Sequence, residues 1–129
     1  MNTSKGYRDL IVYKKAFALA MNVFEMSKGF PKEERYSLTD QIRRSSRSVC
    51  SCIAEAYRKR QYPRYFVNKL SDADSENGET VVWTEFADGC KYITVEKGTE
   101  IENLSVEVGR MLNSMIQNPE KFLPKNKKT

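Results

Sequence analysis

The sequence predicts an all-α protein, folded as one antiparallel four-helix bundle with up-down-up-down connections. Three observations support this prediction. Apolar residues recur at steps of three and four along four separate segments, which is the spacing of amphipathic helices. The breaks between these segments are short and carry glycine or proline, and short breaks favour antiparallel neighbours. No segment alternates apolar and polar residues in the manner of a strand.

The first helix is predicted over residues 9–28, with Asp9 as its candidate N-cap and Gly29 at its end. Two adjacent rows of apolar residues run along it. Together they form an arc wider than one bundle seam requires, so part of the arc is expected to contact another subunit. The residues assigned to that contact are Val12, Leu19 and Val23.

The second helix is predicted over residues 37–60, opened by a weak capping-box pattern at Ser37. Small residues in its inner stripe permit close approach of a neighbouring helix. The third helix is predicted over residues 63–93, with Pro63 in its first turn. The middle of its inner stripe is polar and contains Gly78. Two readings stay open there: a kink, or a helix held by a buried polar network.

The fourth helix is predicted over residues 99–117, with Thr99 as its candidate N-cap and Pro119 just beyond its end. An apolar stripe of isoleucine, leucine, valine and methionine runs along it. The bundle domain is therefore expected to span residues 1–118. The remaining residues, 119–129, form a basic tail that is expected to be flexible.

Composition indicates a globular intracellular protein. Of its 129 residues, 30% are charged and 40% are hydrophobic, fractions that argue against disorder. No apolar run approaches the roughly 18–20 residues of a membrane span, and the N-terminus lacks an apolar secretory core. We therefore expect a cytoplasmic protein that makes no membrane contact and keeps its three cysteines as free thiols.

No catalytic or metal site is recognisable. The chain has no histidine, which removes the commonest general acid–base and the usual zinc sites. It also lacks a glycine-rich phosphate loop. We expect a non-enzymatic protein without a cofactor or bound metal. The rival enzyme hypothesis is a carboxylate–metal hydrolase that uses Asp72, Glu76 and Glu79 of the third helix.

The distribution of charge gives the main functional indication. Net charge is +5, but residues 43–69 hold eight basic residues against one glutamate, and residues 72–107 hold ten acidic residues against two lysines. Basic side chains bind phosphates, and Tyr57, Tyr62 and Tyr65 can stack on unpaired bases of RNA or DNA. The candidate nucleic-acid-binding residues are Arg43, Arg44, Arg47, Arg58, Lys59, Arg60 and Arg64.

A competing interpretation assigns these cations to ion pairs. The acidic third helix offers carboxylates to the basic second helix, and cations near a helix C-terminus also favour the helix dipole. Gln41 and Arg44 of the second helix, with Glu79 of the third, are predicted to form a buried polar core. Such a buried pair would fix helix register more than it would stabilise the fold.

Surplus apolar surface also occurs on the third helix. Trp83 and Phe86 would be exposed in part if this helix formed only one seam, and they complete the predicted subunit interface. With the wide arc of the first helix, they predict a homo-oligomer.

Several motifs occur together along the chain. Residues 9–16 read Asp-Leu-Ile-Val-Tyr-Lys-Lys-Ala, and residues 38–45 read Leu-Thr-Asp-Gln-Ile-Arg-Arg-Ser, followed by Ile-Ala-Glu at 53–55. In this combination, over residues 7–118, the chain resembles the four-helix-bundle family first described from open reading frames within bacterial 23S rRNA intervening sequences, the S23 family. It departs from the family pattern at 52–56, where Cys-Ile-Ala-Glu-Ala stands in place of the common Asn-Ile-Ala-Glu-Gly.

The resemblance implies a bundle that assembles as a ring-like homopentamer. It also implies a relationship to the accessory protein of diversity-generating retroelements, a basic pentamer that binds a reverse transcriptase and nucleic acid. The hypothesis from sequence is therefore a non-enzymatic, self-assembling protein that binds RNA or DNA through a basic helix face. The alternative is a protein-binding scaffold or accessory subunit that makes no nucleic-acid contact.

Overall fold

All regular structure is helical within residues 6–124, the part of the chain that the computed structural model describes. The long helices are α1 (Ile11–Ser27), α2 (Leu38–Arg58), α3 (Pro63–Gly89) and α4 (Val95–Gln117). Short 3-10 helices span Gly6–Asp9, Lys32–Glu34 and Pro119–Lys121. Each long helix packs against the next, and α4 packs back on α1. The predicted all-α, four-helix fold is confirmed. None of the helices in this range has both the length and the apolar character that a membrane crossing needs.

The predicted N-caps of the first and fourth helices are wrong. A 3-10 turn precedes α1, so Leu10, rather than Asp9, occupies the N-cap position. At α4 the Thr94 hydroxyl accepts a hydrogen bond from the backbone amide of Lys97 at 3.1 Å, so Thr99 lies inside the helix. Thr94 and Thr99 both have side chains that can cap a helix. Helix α4 begins directly after Thr94, because the backbone of Thr94 is extended.

The third helix ends at Gly89, earlier than the predicted residue 93. Lys91 adopts a left-handed conformation with φ of 64°, and the Tyr92 amide donates to the Ala87 carbonyl at 2.9 Å. This is the Schellman arrangement, which satisfies carbonyl groups that a helix leaves open at its C-terminus. The turn moves Tyr92 out of the helix and packs its ring against Phe30, 5.8 Å between ring centroids.

The observed core of the bundle contradicts the subunit interface that was predicted on the first helix. Val12, Leu19 and Val23 are 2%, 0% and 0% exposed and belong to the core of this one chain. Their assignment to a contact with another subunit is therefore wrong. On the flank of α1 beside that row, Phe17 and Met21 stay exposed, whereas Ala20 is buried. Two adjacent apolar rows look equivalent in sequence, and only packing against α2 and α4 decides which row is buried.

Polar residues in the middle of α3 form a buried hydrogen-bond network, and α3 runs uninterrupted through the exposed Gly78. The Thr80 hydroxyl is 2.8 Å from that of Ser45 on α2. The Asn77 amide donates to the Ser105 carbonyl on α4 at 2.9 Å, and the Ser105 hydroxyl donates to the Asn77 side-chain oxygen at 2.8 Å. Of the two readings that the sequence left open, the structure shows the polar network.

Glu34 joins the two loops at one end of the bundle. Its carboxylate accepts hydrogen bonds from the Tyr92 hydroxyl at 2.9 Å, the Ser37 hydroxyl at 2.6 Å and the Leu38 amide at 3.3 Å. These donors lower the pKa of Glu34, with the Ser37 hydroxyl first among them, and Glu34 raises the pKa of Tyr92 to about 12. Ser37 occupies the N-cap position of α2, but its side chain does not form the predicted capping bond; its hydroxyl donates to Glu34.

Replacing Asn77 tests the buried network. Asn77→Ala should lower the free energy of unfolding by about 1–3 kcal/mol, because Ser105 loses its buried partners. Asn113→Ala, at an exposed position on α4, is the matched control and should stay within about 0.5 kcal/mol of the unsubstituted chain. Urea denaturation followed by circular dichroism measures both. Equal losses in the two variants would contradict the structural role of the network.

A pH series tests the loop junction at Glu34. Because the folded-state pKa of Glu34 lies below its ordinary value, its contribution is present at neutral pH and is lost as pH falls through that folded-state pKa. Glu34→Gln should therefore be less stable than the unsubstituted chain at neutral pH, and the difference should shrink in acid. The measurement is the urea midpoint across pH, with Glu33→Gln in the same turn as the charge-matched control. A difference that stays constant with pH would contradict this account.

Candidate nucleic-acid interface

The structure divides the seven predicted nucleic-acid-binding residues into three groups. Arg44 lies on the side of α2 that faces α3, where it meets carboxylates. Arg43 and Arg47, here called the groove arginines, lie on the side that faces α1. The other four surround the turn between α2 and α3 and are called the corner cluster. The corner cluster consists of Arg58, Lys59, Arg60 and Arg64.

Arg44 is engaged in ion pairs within the chain. Its guanidinium lies 3.3 Å from the Glu76 carboxylate, pairs with Glu79, and donates from Nε to the Gln41 side-chain oxygen at 3.2 Å. The hydrogen bond to Glu76 is the main reason that the pKa of Arg44 is raised. The structure thus brings together Gln41, Arg44 and Glu79, but the Arg44 side chain is 44% exposed. The expectation that this set is buried is wrong, since its members lie at the edges of the packed stripes.

The groove arginines are held by an aromatic ring of α1. The Arg43 guanidinium lies 4.8 Å from the centroid of the Phe24 ring, and that of Arg47 lies 5.8 Å from it. Arg43 also donates from Nε to the Ser27 hydroxyl at 2.7 Å. Cation–π contact of this kind orients a guanidinium without neutralising its charge. Within residues 6–124 neither side chain forms an ion pair with a carboxylate.

Two members of the corner cluster stack on tyrosines of the same turn. Arg60 lies 4.0 Å from the centroid of the Tyr57 ring and donates to the Tyr57 carbonyl at 3.0 Å. The Lys59 ammonium lies 5.9 Å from the Tyr62 ring. Tyr57 is thus covered on one face, whereas Tyr62 remains more than half exposed. Of these two tyrosines, Tyr62 is the more available for stacking on a base.

The corner cluster carries positive charge, and Lys59 makes a minor contribution to the lowered pKa of Glu55. Arg58 and Arg64 are exposed, and none of its four members forms an ion pair in the part of the chain that the structure describes. The lysines at 125, 127 and 128 of the basic tail lie outside the described residues. Phosphate groups are the counter-charge that such a cluster attracts most strongly.

Two acidic groups of α2 and α3, Glu55 and Asp72, pair with Lys69. Lys69 lies 3.4 Å from the Glu55 carboxylate and 3.5 Å from that of Asp72. The Tyr65 hydroxyl donates to Glu55, and this hydrogen bond is the main cause of the lowered pKa of Glu55. The ion-pair interpretation therefore describes Arg44 and Lys69. It does not describe the corner cluster or the groove arginines.

The carboxylates of the rival hydrolase hypothesis are directed to different partners. Glu76 and Glu79 meet Arg44, whereas Asp72 meets Lys69. Among the described residues, no group of three or more His, Cys, Asp and Glu side chains is placed to hold a metal ion. The arrangement gives no geometric support for carboxylate–metal chemistry on α3.

An apolar groove of about 490 Å³ between α1 and α2 was missed by the sequence reasoning. Tyr13, Phe17 and Met21 line it from α1, and Arg47 and Cys50 line it from α2. Burial raises the pKa of the Cys50 thiol to about 11, so this cysteine is a poor nucleophile there. The signal in the sequence was the apolar row of the first helix that contains Phe17, whose side chain the core leaves half exposed.

The chain is similar to a known protein family and to a solved protein structure. The model of a protein family described as "23S rRNA-intervening sequence protein" matches residues 8–114. A crystal structure of a protein with unknown function from the S23 ribosomal protein family of Bacteroides thetaiotaomicron is similar, with 32% sequence identity and a TM-score of 0.76. The similarity covers 84% of this chain and 100% of that one. No curated protein matches the chain significantly.

Charge reversal distinguishes the paired arginine from the free cluster. Arg44→Glu should lower the free energy of unfolding by about 1 kcal/mol, because two ion pairs are replaced by repulsion from Glu76 and Glu79. Arg64→Glu should leave stability within about 0.5 kcal/mol, since an acid in the first turn of α3 suits the helix dipole. Urea midpoints measure both variants. A loss at Arg64→Glu as large as that at Arg44→Glu would show that the corner cluster is engaged internally.

Proposed function

This chain belongs to the family of 23S rRNA-intervening sequence proteins, and from that premise we propose that it is a non-enzymatic, self-assembling protein that binds RNA. The corner cluster contacts phosphates without strong sequence preference. One observation carries the proposal: four cations surround one turn, and none of them forms an ion pair with a carboxylate within residues 6–124. The family's connection to 23S rRNA favours RNA over DNA as the partner.

The position of the cluster suits a phosphate backbone. Arg58 and Lys59 close α2, and Arg64 lies in the first turn of α3, so the charges come from both sides of one tight turn. Cations spread in this way can contact successive phosphates along one strand. Tyr62, exposed between them, offers a ring on which an unpaired base can stack. Single-stranded or looped RNA is therefore the preferred form.

Self-assembly strengthens a site of this size. Three or four phosphate contacts on one subunit give modest affinity, and a homo-oligomer repeats the same cluster around its axis. Contacts on one RNA chain then act together at high effective concentration. The pentamer implied by the family resemblance is the proposed state. Exposed apolar side chains on α1 and α3, Phe17 and Phe86 among them, support association.

The scaffold alternative rests on the same apolar side chains and requires no RNA. It differs in its response to salt, because apolar contacts tolerate ionic strength that weakens phosphate contacts. Capture of one protein partner at high salt, after nuclease treatment and without bound RNA, would favour the scaffold.

Neutralising the corner cluster tests RNA binding. The triple variant Arg58→Gln, Lys59→Gln and Arg64→Gln should weaken binding to a single-stranded RNA and lower the salt slope of the binding constant by about 2, at about 0.7 per lost phosphate contact. Arg60 is kept, because it braces Tyr57. Electrophoretic shift assays across a salt series measure the effect.

A matched variant controls for loss of net charge. Lys14→Gln, Lys32→Gln and Arg110→Gln remove the same number of charges from exposed positions away from the turn between α2 and α3. This control should bind RNA nearly as well as the unsubstituted chain. Equal weakening in both triple variants would show a diffuse charge effect rather than a site. Absence of any shift with the unsubstituted protein at low salt would end the proposal.

A further inference from the structure

Two apolar surfaces of opposite rim charge lie on different helices of this chain. The first is the groove between α1 and α2, with the groove arginines beside it. The second, here called the aromatic ridge, consists of Val82, Trp83 and Phe86 on α3. We propose that the aromatic ridge of one copy docks into the α1–α2 groove of a second copy. This inference rests on the self-assembly proposed above and names the surfaces that produce it.

The ridge is a protruding apolar feature. Val82 and Phe86 are four residues apart on one helix face and are 43% and 56% exposed. The Trp83 ring packs beside Phe86, 6.0 Å between centroids, and its indole N–H donates to Glu79 at 3.1 Å. These contacts hold the ridge in one orientation, so docking it costs little side-chain entropy.

The groove has a matching apolar lining. Phe17 and Met21, also four residues apart, are 50% and 45% exposed along it. Its volume of about 490 Å³ lies within the range of about 300–1,000 Å³ that receives apolar ligands in proteins. An aromatic side chain from a neighbour is therefore of suitable size and chemistry.

The charges around the ridge and around the groove favour a second copy of the chain as the partner that occupies the groove. No lysine or arginine occurs between Lys69 and Lys91 in the sequence. Arg44 of α2 neutralises Glu79 beside Trp83, so the acidic charge of this rim comes from residues further along α3. Glu85 and Asp88 are exposed there. Across the groove the rim is basic, from Arg43 and Arg47, neither of which is neutralised within the described residues. Complementary rims steer the ridge toward the groove and oppose groove-to-groove pairing.

The two surfaces are different, so the contact is head-to-tail. A head-to-tail contact leaves one free groove and one free ridge on every pair of chains, and growth continues until a ring closes. This separates it from a two-fold dimer, in which one surface meets itself. In the head-to-tail arrangement the groove arginines take part in assembly, and the corner cluster remains available to bind RNA.

Two surface variants test the pairing. Val82→Gln with Phe86→Gln removes the ridge, and Phe17→Gln with Met21→Gln removes the groove surface. All four positions are partly exposed, so both variants should keep the circular dichroism spectrum of the unsubstituted chain. Each variant alone should be a 14.9 kDa monomer by light scattering. Val95→Gln with Val106→Gln, exposed apolar positions on α4, is the control and should keep the full assembly.

Mixing the two variants gives the decisive result. The ridge variant still has a groove and the groove variant still has a ridge, so an equimolar mixture should form a two-chain complex and stop there. A mixture that stays monomeric, or a single variant that keeps the full assembly or dimerises alone, would overturn the head-to-tail pairing. A monomeric unsubstituted chain would overturn self-assembly itself. RNA binding by the corner cluster is measured separately and does not depend on either outcome.

Discussion

The buried hydrogen bond between Thr80 of α3 and Ser45 of α2 is the contact on which the surface chemistry of this bundle depends. Both hydroxyls are almost fully inaccessible to water, and each needs a partner there. Together with the Asn77–Ser105 pair, this bond fixes the rotation of α3 relative to α2 and α4. A different rotation would leave buried polar groups without hydrogen-bond partners. The resulting loss of folding free energy would exceed the stabilisation that most surface interactions provide.

This fixed rotation determines which basic residues of α2 meet an acid. Arg44 lies one position before Ser45, on the flank toward α3, where Glu76 and Glu79 neutralise it. The groove arginines lie on the opposite flank and rest on Phe24. The corner cluster lies beyond the last paired carboxylates, at the turn into α3. The basic residues of α2 and of the turn that follows it thus lie in three different electrostatic environments.

Much of the fold was predictable from sequence, because four periodic apolar segments and their breaks are local features. The polar stripe of α3 was also visible, although its partners Ser45 and Ser105 were not. Errors arose where the answer depends on packing between helices. The two apolar rows of α1 look alike in sequence, so Val12, Leu19 and Val23 were assigned to the outside, and the structure buries them. For the same reason, the sequence identified the basic residues but did not show that, within residues 6–124, Arg44 is the one of the seven that forms ion pairs.

The central claim is that RNA meets this protein at the turn between α2 and α3. Ultraviolet crosslinking of the assembled protein to a single-stranded RNA, followed by mass spectrometry of the peptides, tests it most directly. The account predicts crosslinked nucleotides on the peptide that carries Tyr62, next to Lys59, and none on the peptides of α4. Crosslinks confined to α4, or spread evenly over the bundle surface, would contradict it.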